Sequence, residues 1–247
     1  MNSTKIDYAD STWNPVTVCL HNCEYCYARG IAHRFSGISY FDYLEAFDGD
    51  RHFKAHRIAY PAGFMPTFHR YRLNEPQRIK KPRNIFVCGM ADLFGDWAPD
   101  ELIKEVFAAC AAAPQHRYLF LTKNPKRYDE LAEKEILPMK DNYWYGSTAT
   151  AKNETFWWSK RHNAFVSIEP ILSVAHVDEP VKKVDWVIIG AESGNRKGKV
   201  IPKREWLENI VENCRATGTP VFMKSSLAKI WGEPLIQEYP WEVKRND

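Results

Sequence analysis

Three cysteines within eight residues, Cys19, Cys23 and Cys26, are spaced C-x3-C-x2-C, and Tyr25 stands directly before the last of them. Their thiolates are soft ligands that suit iron–sulfur chemistry. A cubane cluster needs four protein ligands to be closed, so a set of three leaves one iron open to bind another molecule. His21, between the first two cysteines, could instead join them as the fourth ligand of a tetrahedral zinc site, although such sites usually draw on two separated pairs. A disulfide would leave one of the three over, and the chain opens with no apolar secretory segment that would send it to an oxidising compartment. Cys88, Cys110 and Cys214 have no cysteine nearby. Cys110 and Cys214 fall on apolar helical faces, and core packing is the expectation for all three.

The elements that must position these thiols are legible after residue 83, where short apolar runs alternate with helical patterns. Ile85 to Cys88, Tyr118 to Leu121, Tyr143 to Tyr145, Ala164 to Ile168, Trp186 to Ile189 and Val221 to Met223 each read as a buried strand. Pro99-Asp100-Glu101 opens a helix whose apolar stripe runs Leu102, Val106, Ala109. Asn124-Pro125 opens a second, and Pro202 a third that carries Trp206, Ile210 and Cys214 and ends near Gly218. Such alternation implies a parallel sheet with right-handed crossovers. With Trp13 to Val18 as a first strand, seven strands form a partial or complete βα barrel, which puts chemistry at the loops following the strands. Those loops are polar: Asp92, Thr122-Lys123, Ser147-Thr148, Glu169, Glu192-Ser193 and Lys224-Ser225. Any one of them could be an ordinary loop residue or helix cap; six successive strand ends make that reading harder to hold.

At 247 residues and 45% hydrophobic, the chain suits one domain over its whole length. No run approaches the roughly 18 consecutive apolar residues of a membrane span, and the mean hydropathy is −0.48. The expectation is a soluble, cytoplasmic protein. The net charge of +3 is unevenly spread. Residues 51–83 hold nine Lys or Arg against the single acid Glu75, a local +8, which leaves 25 basic and 30 acidic residues, or −5, for the rest. Phe53, Tyr60, Phe64, Phe68 and Tyr71 are interleaved with those cations, a mixture that nucleic-acid sites use and that a solvated connection covering the barrel's end would also produce. His52 and His56 lie four apart in this segment and read as a solvated pair. Gly194 to Lys199 is one residue short of a phosphate loop, and Val200 stands where that loop needs Ser or Thr.

With the cysteine loop and strand ends in place, the chain resembles the radical S-adenosylmethionine superfamily, whose motif C-x3-C-x-aromatic-C after the first barrel strand is matched by Cys19, Cys23, Tyr25 and Cys26. Thr12-Trp13-Asn14-Pro15-Val16-Thr17, Cys23 to Arg29, Phe86 to Phe94, Leu121-Thr122-Lys123-Asn124-Pro125 and Gly190-Ala191-Glu192-Ser193-Gly194 resemble a phage-associated branch of unassigned function. That branch is similar in its cysteine region to the spore photoproduct lyases, and the likeness to it spans nearly the whole chain. Val18 departs from it, because the branch more often has glycine there.

The resemblance implies a [4Fe-4S] cluster on Cys19, Cys23 and Cys26, with S-adenosyl-L-methionine on the fourth iron and an external electron donor. The family's product, a 5′-deoxyadenosyl radical, takes a hydrogen from an unreactive carbon. Tyr25 matches the aromatic position near the adenine. Glu169, Glu192 and Ser193 are assigned by rim position to the ribose and methionine groups, with Ser147 as a further cofactor contact and Asp92, Lys123 and Lys224 as candidates for catalysis. The substrate reading is a nucleic-acid base or nucleotide held through residues 51–83; lyase, isomerase and transferase outcomes all remain open. The alternative from another class is a non-catalytic nucleic-acid-binding protein with zinc on Cys19, His21, Cys23 and Cys26.

Overall fold

The structure is a computed structural model, and it describes residues 1–35, 60, 63–150, 155–174, 178–194 and 196–242. Its centre is an eight-stranded sheet: β1 (Asn2–Ser3), β2 (Ser11–Trp13), β5 (Asn84–Val87), β6 (Arg117–Thr122), β7 (Tyr143–Ala149), β8 (Asn163–Ile168), β9 (Trp186–Ile189) and β10 (Val221–Met223), adjacent in that order. β1 pairs antiparallel with β2, and every other neighbour pair is parallel. The seven parallel strands curl into a partial (βα) barrel, the fold class expected from the alternation. No helix among the described residues is long and apolar enough to cross a membrane.

Strand residues alternate between two cores, as a period of two requires. One set, including Ile85, Val87, Phe120, Tyr145, Val166, Val187 and Val221, packs outward against the helices α2 (Asp100–Ala111) and α5 (Arg204–Thr217) through Ile103, Val106, Leu207 and Ile210. The other set, Phe86, Leu119, Trp144, Phe165, Trp186, Ile188 and Phe222, fills the inside of the curl together with Tyr8. Tyr8 contacts Phe86, Trp186 and Phe222 edge-on at 5.8–5.9 Å between ring centroids. Its segment also meets the chain beyond β10, where Asp7 accepts from the Ser225 amide at 2.5 Å. Two further helices cover the sheet, α3 (Lys126–Glu133) and the short α4 (Asp178–Lys183). The chain also forms α1 (Tyr27–Arg34) after the cysteine loop and α6 (Ala228–Trp231) after β10.

Three expectations change in detail. The first strand does not run from Trp13 to Val18. β2 ends at Trp13, Pro15 brings no N–H for a ladder, and Val16–Thr17 turns away as β3 to pair antiparallel with β4 (Thr67–Phe68). β7 continues through Ala149, so Ser147 and Thr148 lie within the strand rather than after it. Asn124 does not cap α3: Pro125 holds the cap position, and the Asn124 side-chain Nδ2 instead donates to the Phe94 carbonyl and the Asp96 carboxylate. The helix starts at Asp100 and near Pro202 and the end at Gly218, which takes φ 69°, follow the sequence reading.

Candidate active site

The cysteine loop leaves β3 and returns to the chain as α1. Val18 fixes its start: its amide donates to Met90 at 2.8 Å and it bridges in parallel to Ala91, beyond the end of β5. Val18 is fully buried with φ 69°, a left-handed conformation that costs a β-branched residue and that glycine adopts freely. The departure from glycine noted in the sequence therefore falls where backbone conformation matters. Cys26 occupies the N-cap position of α1, with no side-chain capping hydrogen bond.

His21 anchors the loop's middle. Its Nε2 lies 2.7 Å from an Asp92 carboxylate oxygen, and its ring meets Trp97 edge-on at 4.9 Å. The same Asp92 oxygen accepts from the Thr122 hydroxyl at 2.9 Å and the Lys123 amide at 2.8 Å, while the other accepts from the Phe94 amide at 3.0 Å. Burial pushes the Asp92 carboxyl up, but the His21 contact and these backbone donors outweigh it and hold it below the ordinary value. Asp92 thus ties the ends of β5 and β6 to the cysteine loop.

All three cysteines are half-buried free thiols on the wall of one cavity at the carboxyl ends of the strands. Burial, then Asp92 and the other two cysteines, push the Cys19 thiol up to about 11, against a lowering contact from the His21 backbone. A bound cation reverses that electrostatic balance, since coordination deprotonates thiols. Burial first, and Cys23 next, raise the Tyr25 hydroxyl, which also bonds Thr150. Tyr27 is exposed, and its hydroxyl donates to the Gly89 carbonyl at 2.7 Å; desolvation by its surroundings and then Glu169 push it up to about 12.

The same cavity is lined by Tyr25, Asp92, Lys123, Glu169, Glu192, Ser193 and Lys224, so seven of the eight other residues singled out in the sequence meet the cysteines. Ser147 does not. Its side chain lies on the opposite face of β7, where the hydroxyl accepts the Trp157 amide at 2.8 Å, and its neighbour Thr148 lines the cavity instead. Lys224 forms an ion pair with Glu169. Gly190 makes room for that pair: a Cβ there would stand 3.0 Å from the Lys224 side chain and 3.3 Å from that of Glu169. Arg196 grips Glu192 with two hydrogen bonds of 2.6 and 2.8 Å, and this contact holds the Glu192 carboxyl low. Cys88, buried with φ 58°, also lines the cavity, and burial pushes its thiol up to about 12. Cys110 and Cys214 are fully buried in the helix–sheet core.

Sequence reasoning missed Thr148 as the lumen-facing residue, Ser167, and the Tyr8 and Phe86 floor. Ser167 was legible as a polar interruption of an apolar run at alternating spacing.

The basic segment divides. Arg51, Phe53, Lys54, Arg57 and the pair His52 and His56 lie outside the described residues. Arg70 pairs with Glu105, the Arg72 guanidinium donates to the Asn14 carbonyl and Arg83 to Ser11, while Arg78, Lys80 and Lys81 are exposed. Phe64 stacks on His33 beneath the Arg29 guanidinium, 4.3 Å from the ring centroid.

The fold and site together define a partial (βα) barrel carrying a three-cysteine loop at the rim formed by the carboxyl ends of its strands. The chain belongs to a family described as a protein of unknown function, DUF5131, whose model matches residues 3–238. Among solved structures it is similar to a spore photoproduct lyase with a cysteine-to-serine substitution, at 10% identity and a TM-score of 0.50, over 94% of this chain and 76% of that one. A doubly substituted spore photoproduct lyase with bound AdoMet and dinucleoside spore photoproduct has 10% identity and a TM-score of 0.46 over the same shares. At such identity the likeness is one of fold. No curated protein matches the sequence.

Proposed function

We propose that this chain is a radical S-adenosylmethionine enzyme, with Cys19, Cys23 and Cys26 holding a [4Fe-4S] cluster. The observation that carries this reading is the convergence of three free thiols and the polar ends of six parallel strands on one cavity. The donor set fits a cluster. Three soft thiols from one short loop, free and on one cavity wall, are the ligand type that such a cluster takes. Zinc on the three cysteines and His21 lacks comparable support, since the similar solved fold is that of a spore photoproduct lyase. When bound, cluster and S-adenosylmethionine supply an electron and a 5′-deoxyadenosyl group able to take hydrogen from a substrate carbon.

The chain's own residues bind and shield. Asp92 positions the cysteine loop through His21, and Tyr25 flanks the thiols. Glu169, Glu192 and Ser193 offer carboxylates and a hydroxyl to ribose and methionine groups. Tyr8 and Phe86 close the inner end against water. The substrate we assign is a nucleic-acid base or nucleotide, supported by the cations and aromatics of residues 51–83 and by fold likeness to a spore photoproduct lyase. An external protein or small molecule supplies the electron.

Anaerobic reconstitution with iron and sulfide tests the class. The parent protein should retain about four irons per chain, release 5′-deoxyadenosine on reduction with S-adenosylmethionine, and lose both properties in Cys23→Ala. A colourless protein that retains zinc and yields no 5′-deoxyadenosine would overturn the reading.

A further inference from the structure

Inside the curl, above the aromatic floor, runs a row of side chains set by strand register: Thr148 on β7 beside Ser167 on β8, then Ile188 on β9 and Phe222 on β10. Alternation along β8 places Phe165, Ser167 and Glu169 on this inner face, while Ala164, Val166 and Ile168 join the helix-side core. The next row outward holds Glu169, Gly190 and Lys224.

The polar groups around Ser167 are occupied. Lys123 Nζ reaches the Thr148 hydroxyl at 3.5 Å, Glu169 is paired with Lys224, and Glu192 with Arg196. Ser167 is not. Its residue is fully buried and its hydroxyl has no hydrogen-bond partner, the one such side chain among the described residues that line the cavity. A buried hydroxyl left unmatched is a cost to the fold that alanine would not carry. On the other face of the sheet, by contrast, Ser147 is matched by the Trp157 amide.

Resting on the enzyme reading above, we infer that Ser167 is a substrate-binding residue: its hydroxyl donates to a carbonyl on a planar, nucleobase-like ring inserted into the curl. The aromatic floor beneath that ring comes from Tyr8 and Phe86, which line the same cavity. A neutral ring suits this place because the nearby carboxylates Glu169 and Glu192 are already balanced by Lys224 and Arg196, and a carbonyl on its edge accepts from the Ser167 hydroxyl. Any phosphate of the substrate then lies outside this row. Thr148, in register with Ser167, is the second hydroxyl that can read the ring's edge.

Calorimetric titration of the reconstituted protein with thymidine tests this, using Ser167→Ala and the similar-sized, weakly donating Ser167→Cys. The parent should bind thymidine and ignore 2-deoxyribose. Both variants should bind thymidine about three- to tenfold more weakly, the worth of one neutral hydrogen bond. They should bind S-adenosylmethionine as the parent does, and Ser167→Ala should melt no lower than the parent. Thymidine affinity within twofold of the parent in both variants, or a parent that binds no thymidine, overturns the assignment. So does a lower melting temperature with unchanged binding. Iron retention and S-adenosylmethionine binding report separately on the enzyme reading, so its failure and the failure of the Ser167 assignment are told apart.

Discussion

Asp92 carries more of the site's architecture than any other polar residue described. One buried carboxylate joins His21 of the cysteine loop, Thr122 and the Lys123 amide at the end of β6, and the Phe94 amide beyond β5. Replacing it by asparagine keeps the shape but turns an N–H group toward donors. Asp92→Asn should cost about 1–3 kcal/mol, the penalty for unmatched buried polar groups, measured by urea denaturation. It should also lower iron retention after reconstitution, because His21 loses its anchor. An iron content equal to that of the parent would show that the loop is held without it.

At the scale of elements, the short β3–β4 ribbon carries the cysteine loop away from the first barrel strand, and its core is the contact between Thr17 and the buried His69 at 2.8 Å. Burial first, and Arg72 second, lower the His69 imidazole from its ordinary 6.5 to about 3. The unfolded chain therefore takes up a proton at His69 before the folded one does, so this contribution to stability is intact above pH 6.5 and is lost as pH falls toward 3. His69→Gln should flatten the fall in melting temperature over that window; an unchanged pH profile would mean that His69 is not the group responsible. Between β7 and β8 the limit is steric. A Cβ on Gly146 would stand 2.2–2.6 Å from the Phe165 ring. Gly146→Ala should destabilise by about 1–3 kcal/mol through overpacking, read by urea denaturation, and a neutral result would mean the aromatic floor can shift.

For the whole molecule, the curl gathers residues from positions 6 to 224 around one cavity. A ligand that bridges so many elements stabilises them together. S-adenosylmethionine at 100 times its dissociation constant should raise the unfolding free energy of the reconstituted parent by about 2.7 kcal/mol by mass action. Cys23→Ala, which on the proposed reading lacks one cluster ligand, should show no such shift in thermal denaturation. A shift of equal size in both would place the ligand's contacts elsewhere than on the cysteine loop.

The parallel alternation, the helix starts at Asp100 and near Pro202 and the cysteine motif were all legible in the sequence, because each rests on local chemistry: strand and helix periodicity, caps, and ligands close along the chain. So was the gathering of strand ends, since barrel topology sends every such end to one rim. The end of the first strand was missed because Val16–Thr17 finds its partner some fifty residues away, at Thr67–Phe68. Ser147 was singled out where its neighbour Thr148 faces the cavity, because the continuation of β7 sets their faces and one residue of register exchanges inside for outside. The contacts of His21 and Ser167 were likewise decided by tertiary structure: His21 meets Asp92, and Ser167 meets no partner within the curl, whereas Arg196 meets Glu192 only four residues away. Whether a polar side chain is matched or left open is fixed by what the fold brings beside it, and sequence spacing alone does not contain that.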